Sequence, residues 1–425
     1  MGAIAAELAS ILTPSQIATG DALSPDWRRQ VSLAYVGEPT IPVVVFPDTE
    51  AELAAVVVAG HAQGWRMLPC GAGTKLGWGG LMPELDVVIS TAHLNQVIAH
   101  WVEDFTVRVQ AGVRLKDLQA QLRSHNQFLP IDPLYEDTAT LGGIVATADT
   151  GSLRQRYGGI RDLLIGVQMV RDDGAIAKAG GRVVKNVAGY DLMKLMTGSY
   201  GTLAVLSELT FKLYPVPERT QTVQVLGSPD AIARAALQIR LAGITPVAMD
   251  WVGGPLLGEA LSLVGRFEGL PEGVDEQIGR LRALATAAGA KVEPIETAIW
   301  QQGRQALAQA EVVAKVGMKP TAISSFFEQA AQVFDGDWGI RVHNAGGLGL
   351  LGISGNQNVS EGLLTMRSHC QSAGGFLSLL AGPKSIKAQM DVWGYSGNGL
   401  GIMRQLKVNF DPQSLLSTGR FVGDI

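Results

Sequence analysis

The segment Cys70-Gly71-Ala72-Gly73-Thr74-Lys75-Leu76-Gly77 constrains the fold of this chain more than any other. It lies between two apolar stretches, residues 65–69 and 87–90, that read as strands. Residues that are small or tolerate unusual backbone angles let successive N–H groups converge. Such a nest holds an anion, commonly a dinucleotide pyrophosphate. Each hydrogen bond to a charged group contributes about 1.5–3 kcal/mol, so several N–H groups can anchor a phosphate without a lysine. The loop fits neither of two familiar phosphate motifs. A Rossmann fingerprint needs glycine where Leu76 stands, and a P-loop needs Gly-Lys before Ser or Thr, whereas Thr74 precedes Lys75 here. A second run, Gly347-Leu348-Gly349-Leu350-Leu351-Gly352, does match the Rossmann spacing. The residues after it, Ile353-Ser354-Gly355-Asn356-Gln357, do not read as a helix, and the motif has meaning only between a strand and a helix. The run reads as a glycine-rich bend, and no nicotinamide cofactor is expected.

The elements around the loop follow from periodicity and caps. Thr49 and Glu52 have the spacing of a capping box for a helix through Gln63, and Gly64 can end it in the left-handed conformation. Residues 106–111 alternate, with Val107, Val109 and Ala111 on one face, and Leu115–Arg123 reads as a helix. Residues 1–16 read as a short amphipathic helix that lacks the basic region of a signal peptide. Pro215 and Pro217 disfavour helix and sheet pairing, so a domain boundary is placed there. Beyond it, helices at 229–242 and 275–288 and strands near 245–252 and 340–343 form a separate α+β domain.

Composition excludes several functions. Charged residues are 17% of the 425, below the usual quarter, while 47% are hydrophobic, which implies a large core and covered subunit faces. A net charge of -5 argues against a nucleic-acid surface. No uninterrupted apolar run reaches transmembrane length. Cys70 and Cys370 are the two cysteines, so a reducing, cytoplasmic location is expected, and they are too few for a usual iron–sulfur cluster. The six histidines, His61, His93, His100, His125, His343 and His369, form no His-x-His or His-x-x-x-His pair, and no metal site is expected.

Three further segments come after the loop in order: Leu141-Gly142-Gly143-Ile144-Val145-Ala146-Thr147, then Val184-Lys185-Asn186-Val187-Ala188-Gly189-Tyr190-Asp191-Leu192, then Gly198-Ser199-Tyr200-Gly201-Thr202-Leu203-Ala204-Val205. Together the four resemble the FAD-binding domain of the vanillyl-alcohol oxidase and p-cresol methylhydroxylase (PCMH) family. Within that family the chain is similar to FAD-binding subunits of glycolate oxidase, on Gly198-Ser199-Tyr200-Gly201-Thr202, Asn344-Ala345-Gly346-Gly347 and the ending Phe410-Asp411-Pro412 with Gly419-Arg420. Ser417-Thr418-Gly419 departs from the Asn-Pro-Gly of many relatives.

The resemblance implies an α+β chain in three parts: a helical segment 1–37, an FAD-binding domain 38–217 of two α/β subdomains, and an α+β domain 218–425 for substrate capping or subunit contact. It implies that Gly71, Ala72, Gly73, Thr74, Lys75 and Leu76 wrap the pyrophosphate. Thr138, Thr140, Leu141, Gly142 and Gly143 would run along the cofactor, with Thr147, Ala148 and Asp149 next, and Gly201, Thr202 and Val205 at the adenine edge. Thr74 stands where some relatives have a flavin-linking histidine, so FAD is expected to be non-covalent.

The activity implied is oxidation of a 2-hydroxy acid, glycolate or D-lactate, with an iron–sulfur subunit and a second flavoprotein subunit as partners supplying any membrane association. The alternative is a non-catalytic FAD-binding or electron-transfer subunit beside a catalytic homologue. The chemistry needs a cation for the carboxylate and a base for the hydroxyl proton. Arg341, His343 and Asn344 are the candidates, with Arg341 and His343 on one strand face. Lys185 and Asn186 are candidates for the flavin edge, and Arg154, Arg156, Arg161 and Asp162 read as structural loop pairs.

Overall fold

A computed structural model describes residues 2–37, 41–183, 189–355 and 357–425. Three layers of sheet organise it, and the fold is α+β. The first sheet is built from β1 (Ile17–Ala18), β2 (Val43–Val45), β3 (Met67–Cys70) and β4 (Val87–Ser90) in the order β1-β2-β4-β3. Strands β2, β4 and β3 are parallel, as a helical crossover requires, and Glu50–Gln63 is that crossover. Its N-terminus carries the expected capping box of Thr49 and Glu52, and it stops at Gly64 with φ 69°.

The second sheet uses β5 (Val97–Trp101), β6 (Thr106–Gln110), β8 (Leu164–Val170), β9 (Ile176–Gly180) and β10 (Val205–Lys212) in the antiparallel order β5-β6-β10-β8-β9. Val107, Val109 and Ala111 are fully buried on one face, as their alternation predicts. They pack with Leu115, Leu118 and Leu122 of the helix Leu115–Arg123 and with the helix Leu141–Thr147. A two-stranded pair, β7 (Gln127–Phe128) with β11 (Tyr214–Pro215), closes this part. Pro215 therefore does pair. It sits in a two-residue ribbon where its missing N–H costs little, and Val216 N donates to Asn126 O.

The remaining strands are β12 (Arg219–Leu226), β13 (Ala248–Gly254), β14 (Glu259–Gly269), β15 (Lys291–Pro294), β16 (Val312–Gly317), β17 (Asp337–His343), β18 (Leu348–Ser354) and β19 (Phe376–Ala381). They form one antiparallel sheet, β15-β12-β14-β13-β17-β18-β16-β19. One face carries Trp251, Ile340, Val342, Ala314 and Val316, buried under the helices Pro229–Leu241, Pro271–Ala287, Ile323–Val333 and Val359–Ser372. By the two-residue period, Asp250, Arg341, His343 and Lys315 lie on the opposite face, toward the first two sheets.

Two sequence expectations change. The N-terminal helix ends at Leu8, and Pro14–Gln16 is a separate 3-10 turn, because Thr13 caps a new turn and Pro14 cannot donate into the preceding helix. Residues 17–18 then join the first sheet, so segment 1–37 is not wholly helical. The C-terminal tail returns to the first sheet. Met67 N donates to Leu415 O and Ser417 N to Met67 O, and Leu415 and Leu416 pack with Leu53, Val56 and Ile89.

A buried clasp fixes that return. Lys407 Nζ donates to Asp411 Oδ2 at 2.5 Å, to Leu416 O at 2.7 Å and to Thr202 O at 2.9 Å. Asp411, fully buried, also accepts from Leu415 N and Leu416 N. Breaking a buried pair from one side leaves an uncompensated charge. Asp411→Ala should cost about 3 kcal/mol, measured as a lower urea midpoint, and Lys407→Met added to it should regain part of the loss. An unchanged midpoint for Asp411→Ala would show that the clasp is not structural.

Candidate cofactor cleft and adjoining polar cavity

Two cavities lie where the sheets meet. The first runs between the first two sheets. Its walls include Gly71, Ala72, Gly73, Thr74, Lys75 and Leu76 from the loop, Thr140, Gly142, Gly143 and Thr147 from the next motif, and Gly201 and Val205 from the third. Twelve residues expected at the cofactor from three distant motifs thus face one cleft.

The backbone explains why such a cleft suits an anion. Among the described residues, no acceptor within the chain takes the N–H groups of Gly71, Ala72, Gly73, Thr74 or Lys75. Gly73 has φ +79°, a conformation that glycine adopts without a side-chain penalty. At Gly142 a Cβ would lie 2.8 Å from Ala111 Cβ and 2.9 Å from its carbonyl, so the helix Leu141–Thr147 comes this close to β6 only with glycine there.

The carbonyls on the far half of the loop are tied by two cations. Lys387 Nζ donates to Gly77 O and, at 2.7 Å, to Gly79 O. Arg420 donates to Leu76 O at 2.7 Å and to Gly80 O at 3.0 Å. Neither cation has a carboxylate partner among the described residues. Burial lowers the pKa of Lys387 well below the ordinary lysine value, and the Arg420 charge adds to this; burial brings Arg420 down to about 10.

Five expected residues stand off the cleft wall. Thr138 is exposed, Leu141 is core, and Ala148 closes its helix with φ +47°. Thr202 Oγ1 donates to Ser199 O at 2.7 Å. Asp149 pairs with Lys75 at 3.2 Å and accepts from Leu134 N. Lys185 and Asn186 lie outside the described residues. Conversely, Cys70, Tyr200 and Arg420 line the cleft with no role foreseen at the pyrophosphate loop. Burial pushes the Cys70 thiol up to about 12, which keeps it protonated.

The Lys75–Asp149 pair joins the two cavities, since Lys75 lines the first and Asp149 the second. The second has about 540 Å³ of space beneath β16, β17 and β18, with Arg341, His343, Lys315, Arg304 and Arg154 in its wall. Asp250 organises it from one side. Asp250 Oδ2 accepts from Arg341 Nε at 2.6 Å and from Ser152 Oγ, and its Oδ1 lies 2.9 Å from His343 Nδ1. Burial alone would raise the pKa of Asp250; His343 and Arg341, with the His343 and Ser152 hydrogen bonds, hold it well below the usual carboxylate range.

Asn344 is a correction. It belongs to the other face, where its Oδ1 accepts from Trp251 Nε1 at 3.0 Å and from Arg240 at 2.8 Å, and its Nδ2 donates to Ala236 O. One residue beyond His343, it necessarily points away. Arg154 is the second correction: it has no carboxylate partner among the described residues and faces the cavity, so it is not a loop pair. Asp250, Ser152 and Lys315 were missed because no local motif marks them; they meet only through sheet register. The glycine run 347–352 is a hairpin, turning at Gly347 and continuing as β18, and a Cβ at Gly349 would run into Arg341 O.

Residues 41–180 match a family model described as an FAD binding domain. Glycolate oxidase subunit GlcD of Bacillus subtilis is 33% identical over 215 residues, half of this chain and 46% of that protein. D-lactate dehydrogenase of Anaerostipes hadrus is 30% identical over 292 residues, 68% of this chain and 61% of the other. D-lactate dehydrogenase of Archaeoglobus fulgidus is 26% identical over 412 residues, 89% of this chain and 91% of the other. In fold, the chain is similar to p-cresol methylhydroxylase with substrate bound (TM-score 0.77, 14% identity, 99% of this chain and 96% of the other). It is likewise similar to alkyldihydroxyacetonephosphate synthase (0.75, 18%, 98% and 84%).

The geometry sets two expected outcomes. Gly73→Val should yield a folded protein without bound flavin, seen as loss of the absorbance near 450 nm at unchanged circular dichroism, because a β-branched residue is strained at φ +79°; full flavin content would show the loop was misread. Asp250, held below its unfolded value of about 3.8, contributes stability that is present above that pH and lost as pH falls toward the folded value. The stability gap between the wild type and Asp250→Asn should hold from pH 7 to about 5 and narrow below about 4, by urea unfolding. A gap that widens in acid would contradict the assigned network.

Proposed function

We propose that this chain, which carries a PCMH-type FAD-binding domain and has FAD as its cofactor, oxidises a 2-hydroxy acid, glycolate or D-lactate, to the 2-oxo acid. The observation that carries the reading is the second cavity, which joins the cofactor cleft at Lys75–Asp149 and presents a histidine among cations. The names of the relatives, glycolate oxidase subunit and D-lactate dehydrogenase, point the same way.

FAD, when bound, supplies the electron-accepting chemistry. The chain supplies binding, orientation and a base. Free N–H groups from Gly71 to Lys75 hold the pyrophosphate, and FAD is non-covalent, because Thr74 is no flavin linker and Cys70 stays a thiol. With Nδ1 held at Asp250, His343 turns Nε2 to the cavity and takes the hydroxyl proton, and Asp250 stabilises the imidazolium that results. Arg341 is fixed beside it by Asp250 and by Trp300 O at 3.1 Å. Trp78, Leu134, Leu307 and Val313 form a buried apolar cluster next to the cavity and limit water there.

In this reading residues 38–217 hold the cofactor and 218–425 cap the substrate, with the returning tail bracing the cofactor loop. The chain works in the cytoplasm within a hetero-oligomer that contains an iron–sulfur subunit and a second flavoprotein, since Cys70 and Cys370 cannot build a cluster to carry electrons away. A second reading, a non-catalytic FAD-binding subunit beside a catalytic homologue, is favoured by Ser417-Thr418-Gly419 and by Asn344 facing away from the cavity.

Anaerobic mixing of the FAD-loaded chain with glycolate or D-lactate tests between them. Loss of the oxidised flavin spectrum is expected, slowed about a hundredfold or more in His343→Ala. A spectrum unchanged by either acid, alone and in the native assembly, would favour the non-catalytic reading.

A further inference from the structure

Arg341 looks like the carboxylate anchor by sequence, yet its charge is already matched. Its Nε faces Asp250 at 2.6 Å, one guanidinium NH2 group donates to Trp300 O at 3.1 Å, and the guanidinium lies 4.4 Å over the Trp300 ring. Two other cations of the cavity are matched as well. Arg304 faces Asp132 at 3.7 Å and also pairs with Glu136. Lys75, at the junction, is matched by Asp149 at 3.2 Å. Arg154 and Lys315 remain. Arg154 is exposed at the rim, where water screens it. Lys315 is part-buried on β16, and among the described residues its Nζ meets neither a carboxylate nor a hydrogen-bond acceptor.

Sheet register puts Lys315 where an anchor is needed. Arg341 pairs with Leu350 and Leu350 with Lys315, so the three form one row across β17, β18 and β16 on the cavity face. At about 4.8 Å per strand, the Arg341 and Lys315 backbones are roughly 10 Å apart. His343 lies two residues along β17 from Arg341 on the same face. An acid lying over Leu350 therefore reaches Lys315 with its carboxylate and His343 with its hydroxyl. Burial lowers the pKa of Lys315, Asp149 opposes that, and Arg154 adds to it. An ammonium drawn out of water without an acceptor costs stability that a bound anion restores.

We propose that Lys315 binds the substrate carboxylate, while Arg341 acts as a positioning residue that holds Asp250 against His343. This rests on the 2-hydroxy-acid reading for the identity of the substrate, but the anion site can be tested without turnover. Oxalate, a non-oxidisable carboxylate, is titrated into the full FAD-loaded chain, and binding is read from the perturbed flavin spectrum, with thermal unfolding measured in parallel. The variant is Lys315→Met, of similar length and uncharged.

Oxalate should bind the variant about ten- to a hundredfold more weakly, as expected for loss of a charged hydrogen bond. Flavin content should be unchanged, and without oxalate the variant should melt no lower than the wild type. Lys315→Arg should retain part of the affinity. Equal oxalate affinity in wild type and Lys315→Met would overturn the proposal, as would a titration that saturates in neither protein or a variant that melts several degrees lower. If oxalate binds through Lys315 but no 2-hydroxy acid reduces the flavin, the anion site stands and the proposed reaction fails.

Discussion

The arrangement on which the rest of this molecule depends is a short loop in two halves. In the first, the N–H groups from Gly71 to Lys75 have no acceptor among the described residues, and these residues line a cleft. In the second, the carbonyls of Leu76, Gly77, Gly79 and Gly80 are held by Arg420 and Lys387. The peptides whose oxygens meet these cations carry the N–H groups of Gly77, Trp78, Gly80 and Leu81, so the cations fix the second half of the loop, while the N–H groups of its first half have no acceptor among the described residues. Both cations come from the far end of the sequence, more than 300 residues away, so the C-terminal part and the glycine loop are tied together. The Lys407–Asp411 clasp serves this arrangement by fixing the tail that carries Arg420.

Asp250 has the corresponding role in the second cavity. It is fully buried and gathers Ser152 from the loop after the helix Leu141–Thr147 and Arg341 and His343 from the neighbouring strand. Removing water from a carboxylate is costly, and the cost is met only because three donors converge on it. The result is a histidine whose Nδ1 is committed to Asp250 and whose Nε2 has no hydrogen-bond partner among the described residues.

Much of this was legible in the sequence, and the limits have a physical pattern. Local signals carried far: the Thr49–Glu52 cap, the stop at Gly64, the alternation of Val107 and Val109, and the glycine loop are each properties of a few consecutive residues. The cleft was legible because its wall is built from compact motifs, and twelve of their residues do face it. The features that escaped are non-local. Lys315 and Arg341 share a row only through the register of β16, β18 and β17, and Lys387 meets Gly77 across a separation of 310 residues. No spacing rule connects such pairs. Asn344 shows the converse: a polar residue beside His343 reads as a partner in sequence, but on a strand its neighbour faces the opposite side.

A crystal structure of the FAD-loaded chain tests the central claim most directly. The account predicts pyrophosphate oxygens at hydrogen-bond distance, about 3 Å, from the N–H groups between Gly71 and Lys75, with Lys387 and Arg420 still bound to the carbonyls of Leu76, Gly77, Gly79 and Gly80. A pyrophosphate seated elsewhere, or a loop whose carbonyls have turned into the cleft, would contradict it.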